Sequence, residues 1–151
     1  MEIRKMEPGD LPEVEAIQET IIQGKVSAAW KTGLAEQIEL TSSRCLVAVE
    51  EGRVVGFMIS EVTNGAFGAD RSGWLGWVGV SPRRMGQGIG RSLARTLFRI
   101  FEEEGVENLY TAVRWDSVDM LSFFKSLGFD RSNFINLRKQ MAGPKAGQVP
   151  E

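Results

Sequence analysis

The sequence predicts a single α/β domain whose elements run β-α-α-β-β-β-α-β-α-β. Three observations carry that expectation. Two β-rich runs, 46–50 and 54–62, are separated only by Glu51-Gly52-Arg53, the pattern of an antiparallel hairpin. From about Gly90 onward, Leu93, Ala94, Leu97, Phe98 and Phe101 recur at helical spacing, while Arg91, Arg95, Arg99 and Glu102 hold the opposite face. The apolar run Trp74 to Val80 leads into that helix through a glycine-rich turn. With 151 residues, 42% hydrophobic and 25% charged, the chain is sized for one domain with a sizeable core.

In chain order, Ile3 to Met6 reads as the first strand. Asp10-Leu-Pro-Glu13 has the form of a helix start, with Asp10 as N-cap and Glu13 as its reciprocal partner, and Val14, Ile17 and Ile21 then make one apolar face. A less regular helix is expected from Ala28 to Leu40, followed by the strands 46–50, 54–62 and 74–80. The amphipathic helix ends at Gly105. Leu109 to Trp115 is the next strand, Val118 to Leu127 a helix closed by Gly128, and Phe134 to Arg138 a last strand. The domain is assigned to residues 1–141, and the tail 142–151, containing Gly, Pro and Lys, is expected to be disordered.

A formal net charge of -2 argues against a nucleic-acid partner held by bulk positive charge. No apolar stretch is long enough to span a bilayer, and the N-terminus lacks the apolar core of a signal peptide, so no membrane partner is expected. The single cysteine, Cys45, sits in the apolar run Arg44-Cys-Leu-Val-Ala-Val49 and reads as a buried structural thiol, in keeping with a cytoplasmic location. Histidine is absent, which removes Ser-His and Cys-His nucleophile pairs and most zinc sites. No metal is expected, and acid–base chemistry falls to carboxylates, Tyr, Lys, Cys or water.

The strongest chemical signal is Val78-Gly-Val-Ser-Pro-Arg-Arg-Met-Gly-Gln-Gly-Ile-Gly-Arg-Ser-Leu93, a strand, a glycine-rich turn and a helix start. Glycines there let the backbone approach an anion, and the N–H groups of the helix start attract it. A dinucleotide-binding loop does not fit, because the third glycine position counted from Gly86 holds Arg91, and no Gly-Lys-Ser/Thr triplet of a P-loop is present. The spacing Arg83-x-x-Gly86-x-Gly88-x-Gly90 resembles the coenzyme-A pyrophosphate loop of the GCN5-related N-acetyltransferases (GNAT family). The resemblance extends to the element order over about residues 1 to 140 and implies a mixed, mostly antiparallel central sheet with helices on both faces. It also implies acetyl-coenzyme A (acetyl-CoA) as acetyl donor. Val78, Gly79 and Val80 would face its pantetheine arm, and Arg83, Arg84, Gly86, Gln87, Gly88, Ile89, Gly90 and Arg91 would surround its pyrophosphate. Gly76 and Gly79 suit a strand that bulges or is closely approached by a ligand.

A second segment, 113–129, resembles the family in its closing Leu127-Gly128-Phe129. Where the family commonly has Asn, Ala and Tyr, this chain has Ser117, Met120 and Phe124. Phe124 can pack against the cofactor but cannot protonate a departing thiolate, which leaves water, the Ser117 hydroxyl or no dedicated acid. Tyr110, the only tyrosine, reads as an ordinary strand aromatic. Glu61, at the end of an apolar strand beside the expected cleft, is the first candidate for the base that takes the ammonium proton, ahead of Glu19 and Asp116. Residues 22–40 and the loop 63–71 are expected to shape the acceptor site, the loop acting as a lid. The resemblance thus implies a cytoplasmic, acetyl-CoA-dependent N-acetyltransferase working on a primary amine (a small molecule, or a protein N-terminus or lysine) in a ternary complex, with a homodimer as one assembly. The phenylalanine at 124 also leaves open a catalytically silent acyl-CoA-binding sensor.

Overall fold

The computed structural model describes residues 1–142. Strands β1 (Glu2–Lys5), β2 (Leu46–Glu50), β3 (Arg53–Asn64), β4 (Arg71–Val80) and β5 (Asn108–Thr111) form one sheet in the order β1-β2-β3-β4-β5. The first three pairings are antiparallel and β4 pairs with β5 in parallel. Helices α1 (Leu11–Ile22), α2 (Ala28–Gln37), α3 (Ile89–Glu103) and α4 (Val118–Ser126) complete the domain.

Alternation along β3 divides the core into two layers. Phe57 and Ile59 pack with Val14, Ile17, Leu34 and Ile38 beneath α1 and α2. Met58 and Val62 pack on the other face with Leu93, Leu97 and Phe101 of α3 and Phe124 of α4. The expected mixed sheet with helices on both faces is what forms.

Three expectations are corrected. The first concerns the start of α1, where Asp10 does not cap with Glu13. The Asp10 carboxylate instead accepts two hydrogen bonds from Arg4, each 2.8 Å, and one from the Glu7 N–H at 2.8 Å. Glu13 accepts from the Val54 N–H at 2.9 Å and ties the helix to β3. Arg4 and the Glu7 N–H engage Asp10, and the Val54 N–H engages Glu13, in place of the expected reciprocal cap.

Second, the strand expected from Leu109 to Trp115 stops at Thr111, and Trp115 is exposed. Third, no strand forms over Phe134 to Arg138. The Ser132 hydroxyl accepts from the Phe134 N–H at 3.1 Å and donates to the Phe134 carbonyl at 3.0 Å, a local arrangement that competes with a sheet ladder. The Phe134 ring packs edge-on to Phe67 and Tyr110, at 5.1 and 6.0 Å between centroids. Apart from Ala142, the tail assigned to 142–151 lies outside the described residues.

Candidate active site

The site begins with a register shift. Ile59 pairs with Trp77 and Ser60 with Leu75, so Gly76 is the extra residue of a β-bulge in β4. Successive N–H groups along a strand point to opposite edges. Ser81 donates to the Val55 carbonyl of β3 at 2.8 Å, which directs the N–H groups of Val80 and Val78 to the other edge. The bulge resets this phase, and on its far side Leu75 faces β5, where its carbonyl accepts from the Thr111 hydroxyl at 2.8 Å. Because β5 pairs only with Ser72 to Leu75, the edge of β4 beyond Gly76 is left open.

That open edge is one wall of a groove of about 240 Å³, with Gly76, Trp77 and Val78 on one side and Val113, Ser117 and Phe124 among the residues opposite. Early termination of β5 creates the opening. Phe124 is buried against the core, and Ser117 stands at the start of α4, its hydroxyl not engaged in capping that helix. Gly79 has a different role from Gly76. A Cβ there would lie 2.5 Å from Phe57 Cε1, so its glycine is required for packing against the α1 face.

The glycine-rich turn follows at the end of the same open edge. Gly86 and Gly88 adopt φ of +79° and +81°, a region that favours glycine, and space for a side chain is open at both. Gly90 is again a packing glycine, since a Cβ would meet the Phe123 ring at 3.1 Å. Among the described residues, the backbone N–H groups from Gly86 through Gln87, Gly88, Ile89 and Gly90 to Arg91 find no acceptor inside the protein. Successive unpaired amides at a helix start make an anion-binding concavity. Ile89 contributes only backbone there, its side chain being 3% exposed in the core. The Arg91 guanidinium donates to Ser126 Oγ at 2.9 Å, and that of Arg84 to Glu50 at 2.9 Å, leaving Arg83 as the exposed cation without such a partner.

The candidate carboxylates are dispersed. Glu61 is half-buried on the α1–α2 face of β3, opposite Trp74, and does not line the groove. Glu19 accepts from the Val26 N–H at 3.0 Å. The Arg114 guanidinium holds the Asp116 carboxyl below its ordinary range. Tyr110 also stays out of the groove, stacked on Phe67 at 4.2 Å. Cys45 is buried, and burial pushes its thiol pKa up, as suits a structural thiol.

A second hollow, of about 190 Å³, lies on the α2 side of the sheet between Trp30, Gly33, Leu34 and Gln37 of α2 and Ile59 and Trp77 of the sheet. Trp30 and Trp77 meet edge to face, 6.1 Å between centroids and 86° between planes. Trp77 therefore walls both hollows. Sequence reasoning placed the acceptor side in 22–40 but did not single out these two tryptophans. The signal available was a tryptophan directly after a strand glycine, and another one turn before a helix glycine.

Against known proteins, the model of the Acetyltransferase (GNAT) family matches residues 13–129. The chain belongs to the GNAT family. Mycothiol acetyltransferase of Amycolatopsis mediterranei is 35% identical over 88 residues, covering 56% of this chain and 29% of that protein. The homonymous protein of Renibacterium salmoninarum is 27% identical over 110 residues, covering 72% and 32% respectively. The chain thus spans about a third of the length of these curated relatives. Among solved structures, a putative acetyltransferase from Agrobacterium tumefaciens superposes with a TM-score of 0.80 at 17% identity, covering 93% of this chain and all of the other. The aminoglycoside N-acetyltransferase AAC(6′)-Iy, solved with CoA, gives 0.78 at 16% identity, covering 93% and 95%. As a GNAT protein, the chain carries its open β4 edge and unpaired amides within the matched span. Among the described residues, no helix is long and apolar enough to cross a membrane.

Proposed function

We propose that this protein is an acetyl-CoA-dependent N-acetyltransferase that acts on a primary amine by direct attack in a ternary complex. The observation that carries the reading is the continuity of two unsatisfied backbone surfaces, the open β4 edge at Val78 and Val80 and the free amides from Gly86 to Arg91. The first suits the amide groups of a pantetheine arm, and the second a pyrophosphate. Arg83 adds a positive charge where the loop begins. Acetyl-CoA supplies the activated acyl group, and the outward N–H groups of β4 polarise its carbonyl.

The residues divide the remaining work. Phe124 packs along the groove and offers no proton. A thiol with a pKa near ~8.5 is a tolerable leaving group, so water or the Ser117 hydroxyl suffices for thiolate departure. An ammonium with a pKa near ~10 must lose a proton before attack, and Glu61 of β3 serves as that base through water, from the α1–α2 face of the sheet. Residues 22–40 and the loop 63–71 shape the acceptor side.

Calorimetric titration with CoA and thiol release from acetyl-CoA across a panel of amines test this reading. Binding in the micromolar range together with amine-dependent thiol release is expected. Absence of CoA binding overturns the reading, and binding without release for any amine favours the silent sensor that Phe124 permits.

A further inference from the structure

We infer that the acceptor is a monoamine bearing a flat apolar group, which lodges in the hollow between Trp30 and Trp77 while its amine reaches the β4 bulge. This rests on the N-acetyltransferase reading and adds the acceptor's chemical class to it. The hollow measures about 190 Å³, and none of the residues lining it is charged. Gln37 is the one polar side chain among them, alongside buried Leu34 and Ile59. An apolar cavity of about 150 Å³ holds benzene, so this space suits one aromatic ring or a comparable apolar group. The perpendicular tryptophans present a ring face and a ring edge, the arrangement aromatic groups prefer.

Charge excludes the alternative. A polycationic acceptor such as an aminoglycoside or polyamine brings ammonium groups that need carboxylates when removed from water. The hollow offers none, and Glu61, two residues beyond Ile59 on the same face of β3, is the one carboxylate that β3 carries on that face. A single ammonium is what one carboxylate matches. Trp77 places that amine correctly, because its side chain walls the hollow and its backbone borders the groove next to Gly76 and Val78.

Gly33 gives the discriminating variant. It occupies a helix interior, where glycine is less favourable than alanine, and a Cβ there meets nothing within 4 Å. Glycine at this position keeps the hollow open. Gly33→Leu should fold, since it improves helix propensity, and its side chain should occupy the space.

The test uses the full chain with CoA bound, probed by saturation-transfer NMR with phenethylamine and by thiol release from acetyl-CoA with phenethylamine, spermidine and kanamycin. Phenethylamine should bind, its kcat/KM should exceed those of both polycations at least tenfold, and both Gly33→Leu and Trp77→Ala should raise its KM at least tenfold. CoA calorimetry on Gly33→Leu and urea unfolding of both variants verify the fold. Faster release with the polycations, or phenethylamine binding unchanged in Gly33→Leu, overturns the inference and leaves the N-acetyltransferase reading standing. Loss of CoA binding in the unmodified protein would overturn that reading instead.

Discussion

The Arg84 guanidinium donates to the Glu50 carboxylate at 2.9 Å, joining the turn after β4 to the end of β2. Its neighbour Arg83 is exposed and makes no hydrogen bond or ion pair among the described residues. Two adjacent arginines of the same motif therefore differ in availability. The first is free to meet an anion, whereas the second is committed to the fold.

The consequence is measurable as a difference between two alanine variants. A hydrogen bond to a charged group contributes roughly 1.5–3 kcal/mol, so Arg83→Ala should weaken CoA binding by about ten- to a hundredfold. Arg84→Ala should change affinity by less than about threefold and lower stability slightly, as loss of a half-exposed ion pair does. Calorimetry and urea unfolding on both variants separate the effects. Equal losses of affinity would show that both arginines serve the phosphate.

Gly88 joins the same loop to α3 at φ +81°, with open space where a side chain would project. Gly88→Glu places a carboxylate in the concavity of free amides and should abolish CoA binding. The backbone strain of a non-glycine residue costs about 1–2 kcal/mol, which the fold should survive. Gly88→Asn, whose side chain tolerates that conformation, serves as the neutral control and should bind more weakly than the unmodified protein but more tightly than the glutamate variant. Near-native affinity in a folded Gly88→Glu protein would remove the loop from the binding site.

The order of elements as far as α4 and the glycine-rich turn before α3 were legible in the sequence because both rest on local physics. Periodicity places Leu93, Leu97 and Phe101 on one face of α3, and positive φ at Gly86 and Gly88 is the backbone freedom that glycine spacing advertises. What stayed hidden depends on partners distant in the chain. Asp10 is a good local cap, yet Arg4 across the turn takes its carboxylate. Phe134 to Arg138 has strand composition, but β5 presents only four residues as a template and Ser132 satisfies Phe134 locally. The Trp30–Trp77 hollow joins a helix to a strand 47 positions away, a separation no spacing rule encodes.

The Arg4–Asp10 pair predicts a specific pH dependence. The Arg4 hydrogen bonds, opposed in part by burial, hold the Asp10 carboxyl below its ordinary value of 3.8. A carboxyl depressed in the folded state contributes stability that is present above the unfolded value and lost as pH falls through the folded one. Asp10→Asn should therefore cost about 1–2 kcal/mol at pH 7, a figure discounted because Arg4 is partly exposed. The gap between the two proteins should close as pH drops below 3.8. Urea unfolding from pH 7 to pH 3 checks this, and a gap independent of pH would mean that the pair contributes through shape rather than charge.

The last prediction concerns the proton. Tyr110 stacks on Phe67 at 4.2 Å and stays out of the groove, and Phe124, which does line it, has no hydroxyl. Thiolate departure should then need no side-chain acid, and Tyr110→Phe should retain most of the turnover with a competent amine. Glu61 sits half-buried on the face that bears Trp77, the acceptor side we propose, so Glu61→Gln should lower turnover by about 10²–10⁴, the range of a lost general base. The loss should shrink as pH rises toward ~10, because more of the amine is then already neutral. Steady-state rates from pH 6 to 10 for both variants decide the matter. A large loss in Tyr110→Phe beside an unaffected Glu61→Gln would move the acid–base chemistry to the aromatic cluster, and a Glu61→Gln loss constant across that pH range would reduce Glu61 to holding the acceptor.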